Sequence, residues 1–215
     1  MTTLLSTTYF GPIQWYQKLY RHPSIVIEQY EHFQKQTYRN RCIIATTQGS
    51  QALVVPVERN AESPYIRDLR ISNHGNWRRH HWNALVTAYG DSPFFDYYQD
   101  YLRPFFLEST EGAGSGRLPF LLDFNQSILQ CVCSLLDIQP HVSLSTTFTP
   151  VTPHTADVQD ICDLRDVIHP KHPVPDPDFQ PRPYYQVFQQ KHGFLPNLSI
   201  LDLLFNMGPE AVFYL

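Results

Sequence analysis

The chain has 215 residues, of which 42% are hydrophobic, so it is long enough to bury a core of its own. Sixteen basic side chains stand against 20 acidic ones, and the formal net charge of -4 excludes a generally basic surface of the kind that nucleic-acid-binding domains use. We therefore expect a single globular domain, residues 1–215, with no nucleic acid among its partners.

The N-terminal segment lacks the basic start and the continuous apolar run of a signal peptide, and the chain has no run of the roughly 18 apolar residues that a membrane helix needs. We expect a cytoplasmic protein without membrane insertion. The four cysteines form no CxxC pair, so neither a zinc ribbon nor a disulfide framework is indicated. No cofactor and no metal site are predicted.

The first elements follow from short apolar runs and breaker residues. Runs bounded by turn residues predict strands at Leu4–Thr8 and Ile25–Gln29. Between them, Gly11–Leu19 is predicted as a helix with Pro12 in its first turn, where the missing N–H group costs nothing. The chain is thus expected to begin with a strand, a loop, a helix and a second strand.

A β-hairpin and a helix are predicted next. Two β-rich runs flank TQGS, residues 47–50, and Gly49 can adopt the positive φ that a tight turn requires. Further along, WRRHHWNALVTAY has the apolar spacing of a helix that starts near Asn76 and ends before Gly90. The apolar positions of that helix are Trp82, Leu85, Val86 and Tyr89.

Two more helices are expected on either side of a glycine-rich loop. One begins near Ser92 with Pro93 in its first turn, and residues 109–117 then form a flexible loop. The segment LDFNQSILQCVCSLLDIQ, residues 122–139, is predicted as a core helix because its apolar residues form one stripe. These residues are Phe124, Ile128, Leu129, Val132, Leu135 and Leu136.

The last third of the chain is rich in proline. Residues 140–183 have little periodicity, so they are interpreted as a proline-rich extended arm that wraps the domain, with disorder as the alternative. The segment SILDLLFNMG is predicted as a helix with Ser199 and Asp202 in capping-box spacing and Gly208 at its end. Together these elements predict an α/β fold, with α+β as the alternative: one domain with a small mixed β-sheet, flanking helices and the arm.

A dense group of cationic and polar residues occupies KQTYRNR, residues 35–41. An extended backbone would place Lys35, Thr37, Arg39 and Arg41 on one face, with Gln36, Tyr38 and Asn40 on the other. Guanidinium groups offer paired donors for phosphate or carboxylate oxygens, so the first face could hold an anion. The alternative is a solvated strand face whose charges pair with acidic residues, namely Glu28, Glu31 or Glu58.

The stretch YFGPIQWYQKLYRHP, residues 9–23, is a second candidate. A tight turn at Gly11 and Pro12 would follow the first strand, and ligands usually lie at the carboxyl ends of strands in open α/β sheets. Tyr9, Gln14 and Trp15 could then hydrogen-bond to a ligand and stack on it. The stretch is neither GxGxxG nor a Walker loop. The alternative is an aromatic-rich helix start packed in the core.

Three histidines, His74, His80 and His81, lie close together in sequence. They could contact a substrate, pack on a helix surface or, least favoured, bind a metal, since no HExxH motif is present. No GxSxG elbow marks a nucleophile, and no cysteine has a neighbouring histidine.

Taken together, several stretches resemble the WbqC-like family of bacterial proteins along almost the whole chain, and the compact form resembles Bacteroidetes-type members. They include STTYFGPIQWYQKL, IEQYEHFQKQTYRNRCIIAT, LVVPVE, ISNHGNWRRHHWNALVTAYGDSPFFDYY and YYQVFQQKHGFLPNLSILDLLFNMGPE. The resemblance implies a place in O-antigen or other surface-polysaccharide biosynthesis, where nucleotide-activated sugars and their acylated or aminoacylated derivatives carry anionic groups.

The family pattern carries over five positions: Tyr9, Pro12, Lys35, Asn40 and Arg41. Its leading Gln-Pro pair does not carry over, because Thr7 and Thr8 stand there. The proline-rich arm occupies the place of a glycine-rich segment of longer relatives, so any role of that segment does not transfer.

These observations lead to two functional hypotheses. In the first, the protein is a group transferase acting on an anionic, nucleotide-sugar-like small molecule. Lys35, Arg39 and Arg41 would bind the anion, Tyr9, Gln14 and Asn40 would orient the acceptor, and His80 or His81 would transfer a proton. In the second, it is a noncatalytic binding or assembly module whose partner surface is formed by FFDYYQDYLRPFF and the proline-rich arm. A homo-oligomer is compatible with either.

Overall fold

A computed structural model describes residues 2–58, 63–107, 120–150 and 161–215. The described chain forms a mixed α/β fold, and its elements are numbered here in chain order. They are β1 (Thr2–Leu5), α1 (Ile13–Arg21), β2 (Ile25–Ile27), β3 (Arg41–Thr46), β4 (Gly49–Val54), β5 (Val57–Glu58), β6 (Arg70–Ile71), α2 (Trp77–Tyr89), α3 (Phe95–Leu102), α4 (Leu121–Leu135), β7 (Val142–Leu144), β8 (Ile161–Asp163), α5 (Gln189–His192) and α6 (Ile200–Met207).

The central sheet has four parallel strands in the order β7-β2-β1-β8. Its two inner strands are short apolar runs that bury Leu4, Leu5, Ile25 and Ile27 almost completely. A strand buried on both faces is apolar throughout rather than alternating, which explains why these runs were recognisable in the sequence. Because all four strands are parallel, their carboxyl ends lie at one edge of the sheet, which we call the carboxyl edge.

The two edge strands, β7 and β8, come from the segment that the sequence analysis interpreted as an extended arm. The residues of β7 pair with β2 and those of β8 pair with β1. Each has only three residues, too few to show a period, and for that reason these strands were missed. Residues 151–160 of the same segment lie outside the described residues, as does the predicted loop at 109–117.

Several local predictions are confirmed. The hairpin forms, with β3 antiparallel to β4 and Gly49 at a φ of 104°. The helix α2 ends just before Gly90, and α6 has the Ser199 side chain as its N-cap and Gly208 as its C-cap. Two other helices start later than predicted. Helix α1 begins at Ile13 and α3 at Phe95, so Pro12 and Pro93 precede these helices rather than lying in their first turns.

Some details of the predicted helices were wrong. Val86 is 42% exposed, although its spacing placed it on the apolar stripe of α2. Asp202 does not complete a capping box, because its carboxylate instead accepts hydrogen bonds from the hydroxyls of Tyr89 and Tyr184. Helix α6 is therefore anchored to the core by a buried carboxylate rather than capped by it.

The strands β1 and β2 end earlier than the sequence predicted. They stop at Leu5 and Ile27, and the polar residues that follow leave the sheet to bond one another at the carboxyl edge. No helix in the described ranges is long and apolar enough to cross a membrane.

Candidate functional site

Buried charged residues gather at the carboxyl edge. Glu28 and Glu31 follow β2, and Arg165 follows β8. Their side chains, together with that of Arg39, belong to residues that are no more than 5% exposed. Four buried charges in one place require mutual pairing, because an unpaired charge in the interior is strongly unfavourable.

Arg39 is held by one edge of its guanidinium group. Its Nε donates to Oε1 of Glu31 at 2.8 Å, and its Nη2 donates to Oε2 of Glu31 and to Oγ of Ser6 at 2.7 Å. Ser6 in turn donates to Oε2 of Glu31 at 3.1 Å. Among the described residues, Nη1 of Arg39 has no hydrogen-bond partner. The carboxylate thus fixes the guanidinium plane and leaves its other edge available.

Arg165 repeats this arrangement with a different carboxylate. Its Nε and Nη2 donate to the two oxygens of Asp163 at 2.9 and 2.6 Å, while Nη1 lies 3.7 Å from Oε2 of Glu28. Burial lowers the pKa of Arg165, but the hydrogen bonds with Asp163 and the charges of Glu31 and Glu28 outweigh it, so the pKa lies above its ordinary value. The group therefore stays cationic.

Glu28 is a fixed part of this network rather than a free carboxylate. It accepts hydrogen bonds from the N–H of Tyr30 at 2.9 Å, from Oγ of Ser145 at 2.7 Å and from the N–H of Thr149 at 2.9 Å. Ser145 follows β7 directly, so Glu28 links the ends of two neighbouring strands. Its role is to hold the loops at the carboxyl edge in place.

A cavity of about 360 Å³ opens above these charges. We call it the carboxyl-edge cavity, and both buried arginines line it together with aromatic and polar side chains. Its lining residues are Tyr30, Glu31, His32, Gln34, Arg39, Tyr65, Phe148, Arg165 and Asp166.

The aromatic residues of the cavity leave ring surface available for stacking. Phe148 is 49% exposed and Tyr65 is 38% exposed. The Tyr65 ring meets that of Tyr30 edge-on, with centroids 5.8 Å apart, and the guanidinium of Arg165 lies 5.9 Å from the Phe148 ring. A planar ligand group could therefore stack on these rings while its polar part contacts the arginines.

A second, much smaller cavity of about 10 Å³ shares Arg39 and Arg165 with the first. It is the size of one water molecule and is also lined by Thr8, Trp15 and Tyr38. The Oγ1 atom of Thr8 is buried and has no partner among the described residues. The two sequence stretches singled out above therefore do meet, but around a water-sized space.

The predicted row of cations does not form. Tyr38–Asn40 is a turn of 3₁₀ helix, so the extended backbone that would align the side chains was wrong. Of the cationic residues, only Arg39 lines the carboxyl-edge cavity; Lys35 is exposed, and Arg41 is half-buried with its Nε unpartnered among the described residues. The amide of Asn40 donates to the Val55 carbonyl at 2.7 Å. The alternative, in which a charge pairs with Glu31, holds for Arg39.

The predicted opening turn is covered by the C-terminal segment. Gly11 accepts a hydrogen bond from the N–H of Ile200 at 2.9 Å, and Pro12 forms a β-bridge with Ser199. Gln14 donates to Asp176 at 2.9 Å and accepts from Asn197 at 3.0 Å. The turn thus packs against the C-terminal segment. Gly11, Pro12 and Gln14 do not line the carboxyl-edge cavity.

Tyr9 and His81 form a buried pair. The Tyr9 hydroxyl lies 2.8 Å from Nδ1 of His81, and its ring stacks on Phe124 with centroids 6.0 Å apart. Burial lowers the pKa of His81 to about 4, although a hydrogen bond with the Val54 backbone opposes this shift. His81 is therefore neutral at physiological pH, while His80 is exposed on α2, and neither lines the cavity.

Most of the residues that build the site carry no motif that marks them in the sequence. Arg165 and the aromatic residues Tyr30, Tyr65 and Phe148 were not singled out, and Glu31 was named only as a possible partner of the cationic residues. A signal was present, because the charged stretches EQYE and LRD follow β2 and β8 directly. In the described part of the chain, no group of three or more His, Cys, Asp or Glu side chains is arranged to hold a metal ion.

The fold and the site define an α/β protein with a ligand-sized cavity at the carboxyl ends of parallel strands. The chain belongs to the WbqC-like protein family, which it matches over residues 7–169 and 177–214. It is also similar to the protein described as uncharacterized protein Rv1507c from Mycobacterium tuberculosis (strain ATCC 25618 / H37Rv). The two are 28% identical over 200 residues, which cover 85% of this chain and 83% of the relative. No solved structure matches the chain significantly.

Proposed function

We propose that the protein is a cytoplasmic group transferase of bacterial surface-polysaccharide biosynthesis that binds an anionic activated substrate, such as a nucleotide sugar, in the carboxyl-edge cavity. One observation supports this site above all: Arg39 and Arg165 are each clamped through Nε and Nη2, and both line the same cavity. The pathway is what the resemblance to the WbqC-like family implies.

The clamped arginines are suited to anion binding because their orientation is fixed in advance. Glu31 and Asp163 hold the guanidinium planes, so a phosphate or carboxylate would meet donors that need no rearrangement. Since these carboxylates also offset the positive charge, recognition would depend on directed hydrogen bonds more than on a positive potential. Such donors would stabilise the negative charge that develops on a departing nucleotide in the transition state.

The remaining lining supports an activated substrate with a planar part. The volume of about 360 Å³ lies in the range typical of small-molecule sites. Phe148 and Tyr65 offer exposed rings on which a nucleobase could stack. In this proposal a nucleobase lies against an aromatic wall, and the phosphates lie over Arg39 and Arg165.

The proposed group for proton transfer changes with the structure. His80 and His81 were expected in this role, but neither lines the cavity, and a general base must reach the proton that it removes. His32 does line the cavity and is exposed to solvent. We therefore propose His32 as the general base that removes a proton from the acceptor.

A binding or assembly module remains the second candidate, and one observation favours it. Tyr97 and Tyr101 are 65% and 57% exposed on α3, and their spacing of four residues places them on one face of the helix. Two exposed tyrosines side by side are typical of an interaction surface. In this case the protein would associate constitutively, without a small ligand.

A thermal-shift screen distinguishes the two candidates. The protein is mixed with nucleotides, nucleotide sugars, acyl-CoA and aminoacyl compounds, and the screen is repeated with Arg165→Lys, which keeps the charge but loses the paired donors. Arg182→Lys is the control, because Arg182 is exposed and does not line the cavity. The transferase proposal predicts stabilisation by a nucleotide compound in the wild type and the control, but not in Arg165→Lys. Absence of any shift, with association seen by light scattering, would favour the module.

A further inference from the structure

We infer that the substrate of the carboxyl-edge cavity carries an ammonium group beside its anionic group, so that the cavity takes an amino-sugar nucleotide. This inference rests on the proposed function, because it names the class of substrate for the same site. It follows from one carboxylate, that of Asp166, which the network of buried charges does not use.

Asp166 differs from the other carboxylates at the carboxyl edge. Glu28, Glu31 and Asp163 each accept several hydrogen bonds or pair with an arginine. Asp166 lines the cavity but makes no hydrogen bond and no ion pair with any residue that the structure describes. Its charge reaches His169 only through space. It is therefore free to bind a group from outside.

Asp166 has no ion pair even though an arginine is its direct neighbour in the sequence. Arg165, its direct neighbour, turns both Nε and Nη2 to Asp163 instead. Asp166 is thus not needed to neutralise or orient the arginine. The cavity therefore contains groups of both signs that make no hydrogen bond with the described residues: Nη1 of Arg39, Nη1 of Arg165, which lies 3.7 Å from Glu28, and the carboxylate of Asp166.

A ligand with only negative charge does not match this set. Its phosphates would gain the two guanidinium donors, but they would also lie near the uncompensated carboxylate of Asp166. A ligand with an amine next to its phosphates would bind the guanidinium donors with its phosphates and the Asp166 carboxylate with its amine. Asp166 is exposed to solvent, so we expect the amine to improve affinity by about 3- to 5-fold at low ionic strength.

Isothermal titration calorimetry with two matched probes tests this inference. UDP-glucosamine and UDP-glucose differ only in an amine in place of a hydroxyl, and the titrations are made at mildly acidic pH, where the amine is protonated. We expect the wild type to bind UDP-glucosamine more tightly than UDP-glucose. Asp166→Asn should remove this preference, and it should tighten UDP-glucose binding because the carboxylate near the phosphates is gone. Asp100→Asn is the matched control, because Asp100 is an exposed aspartate of α3 outside the cavity.

The possible results separate this inference from the proposed function. Equal dissociation constants for the two probes in the wild type would overturn the inference and leave nucleotide-sugar binding intact. A preference that persists in Asp166→Asn would also overturn it, because the carboxylate would not be its source. If neither probe binds, both the inference and the proposed nucleotide-sugar site are wrong.

Discussion

Arg39 and Glu31 form a bidentate ion pair in the interior. Nε of Arg39 donates to Oε1 of Glu31 at 2.8 Å, and Nη2 donates to Oε2 at 2.5 Å. Their side chains are only 3% and 7% exposed. Desolvation makes such a pair costly to form and costlier to break, because removing one partner leaves the other charge buried and alone. The pair both supports the fold and aims one guanidinium edge at the cavity.

The first prediction concerns the stability of this pair. Glu31→Ala should lower the free energy of unfolding by about 3–5 kcal/mol, because Arg39 would keep its burial and lose its counter-charge. Urea unfolding measures the change. Asp68→Ala is the control, since Asp68 pairs with Arg67 at the surface at 3.7 Å and its loss should cost about 1 kcal/mol or less. Equal losses in the two variants would show that the pair is not desolvated as described.

The second prediction concerns pH. The pKa of His81 is lowered to about 4 in the folded protein, against 6.5 as its ordinary value. Between these values the unfolded chain binds a proton that the folded protein does not, so stability is complete above pH 6.5 and is lost as the pH falls towards 4. The shift corresponds to roughly 3 kcal/mol.

Urea unfolding at several pH values tests this contribution. His81→Leu should show a smaller loss of stability between pH 6.5 and 4 than the wild type, although it is less stable at neutral pH because Tyr9 loses its partner. Asn83→Gln is the control, since Asn83 is exposed on the same helix and has no titratable side chain, so the variant should leave the pH profile unchanged. An identical pH profile for His81→Leu and the wild type would refute the buried neutral histidine.

The third prediction compares two glycines at positive φ. Gly193 has φ 71° and open space where a methyl group would be added, whereas Gly208 has φ 57° and a Cβ there would lie 2.5 Å from the ring of Phe94. Gly193→Ala should cost about 1–3 kcal/mol from backbone strain alone, because φ 71° with ψ -170° is a conformation that other residues rarely adopt. Gly208→Ala should cost roughly a further 1–3 kcal/mol from the overlap with Phe94.

Thermal or urea unfolding measures both glycine variants. Adding Phe94→Leu to Gly208→Ala should recover part of the additional loss, because the smaller side chain gives the new methyl group space. If the two glycine variants are equally destabilised, the close contact between Gly208 and Phe94 is not a feature of the folded protein.

The fourth prediction concerns ligand stacking. Phe148→Ala should raise the dissociation constant of a nucleotide sugar by about 5- to 150-fold, because stacking on an aromatic ring contributes roughly 1–3 kcal/mol per base. Phe213→Ala is the matched control, since Phe213 is 70% exposed and does not line the cavity. Calorimetric titration of both variants measures the difference. A loss of affinity in both, or in neither, would place the base elsewhere.

The sequence predicted the parts of the fold that depend on local patterns. The opening β1-α1-β2 unit, the hairpin and the helices α2, α4 and α6 were found because apolar period and turn residues are local properties. The edge strands β7 and β8 were missed because three residues are too few to show the alternation of a strand. Each also pairs with only one neighbouring strand, and such pairing cannot be recognised from the sequence.

The candidate site was harder to predict because it is assembled from distant segments. The parallel sheet brings the loops that carry Tyr30, Phe148 and Arg165 to one edge, and Arg39 joins them through its pair with Glu31. Arg39 was selected for its place in a row of cations, yet it faces the cavity because Glu31 and a 3₁₀ turn orient it. Residue chemistry was therefore informative, while the assumed extended backbone was wrong.

A crystal structure of the protein soaked with UDP-glucose would show directly whether the two buried arginines bind the diphosphate. We expect diphosphate oxygens at hydrogen-bond distance, about 3 Å, from Nη1 of both Arg39 and Arg165, with the uracil ring against Phe148 or Tyr65. A bound nucleotide sugar whose phosphates contact neither arginine would show that Arg39 and Arg165 do not form the anion site.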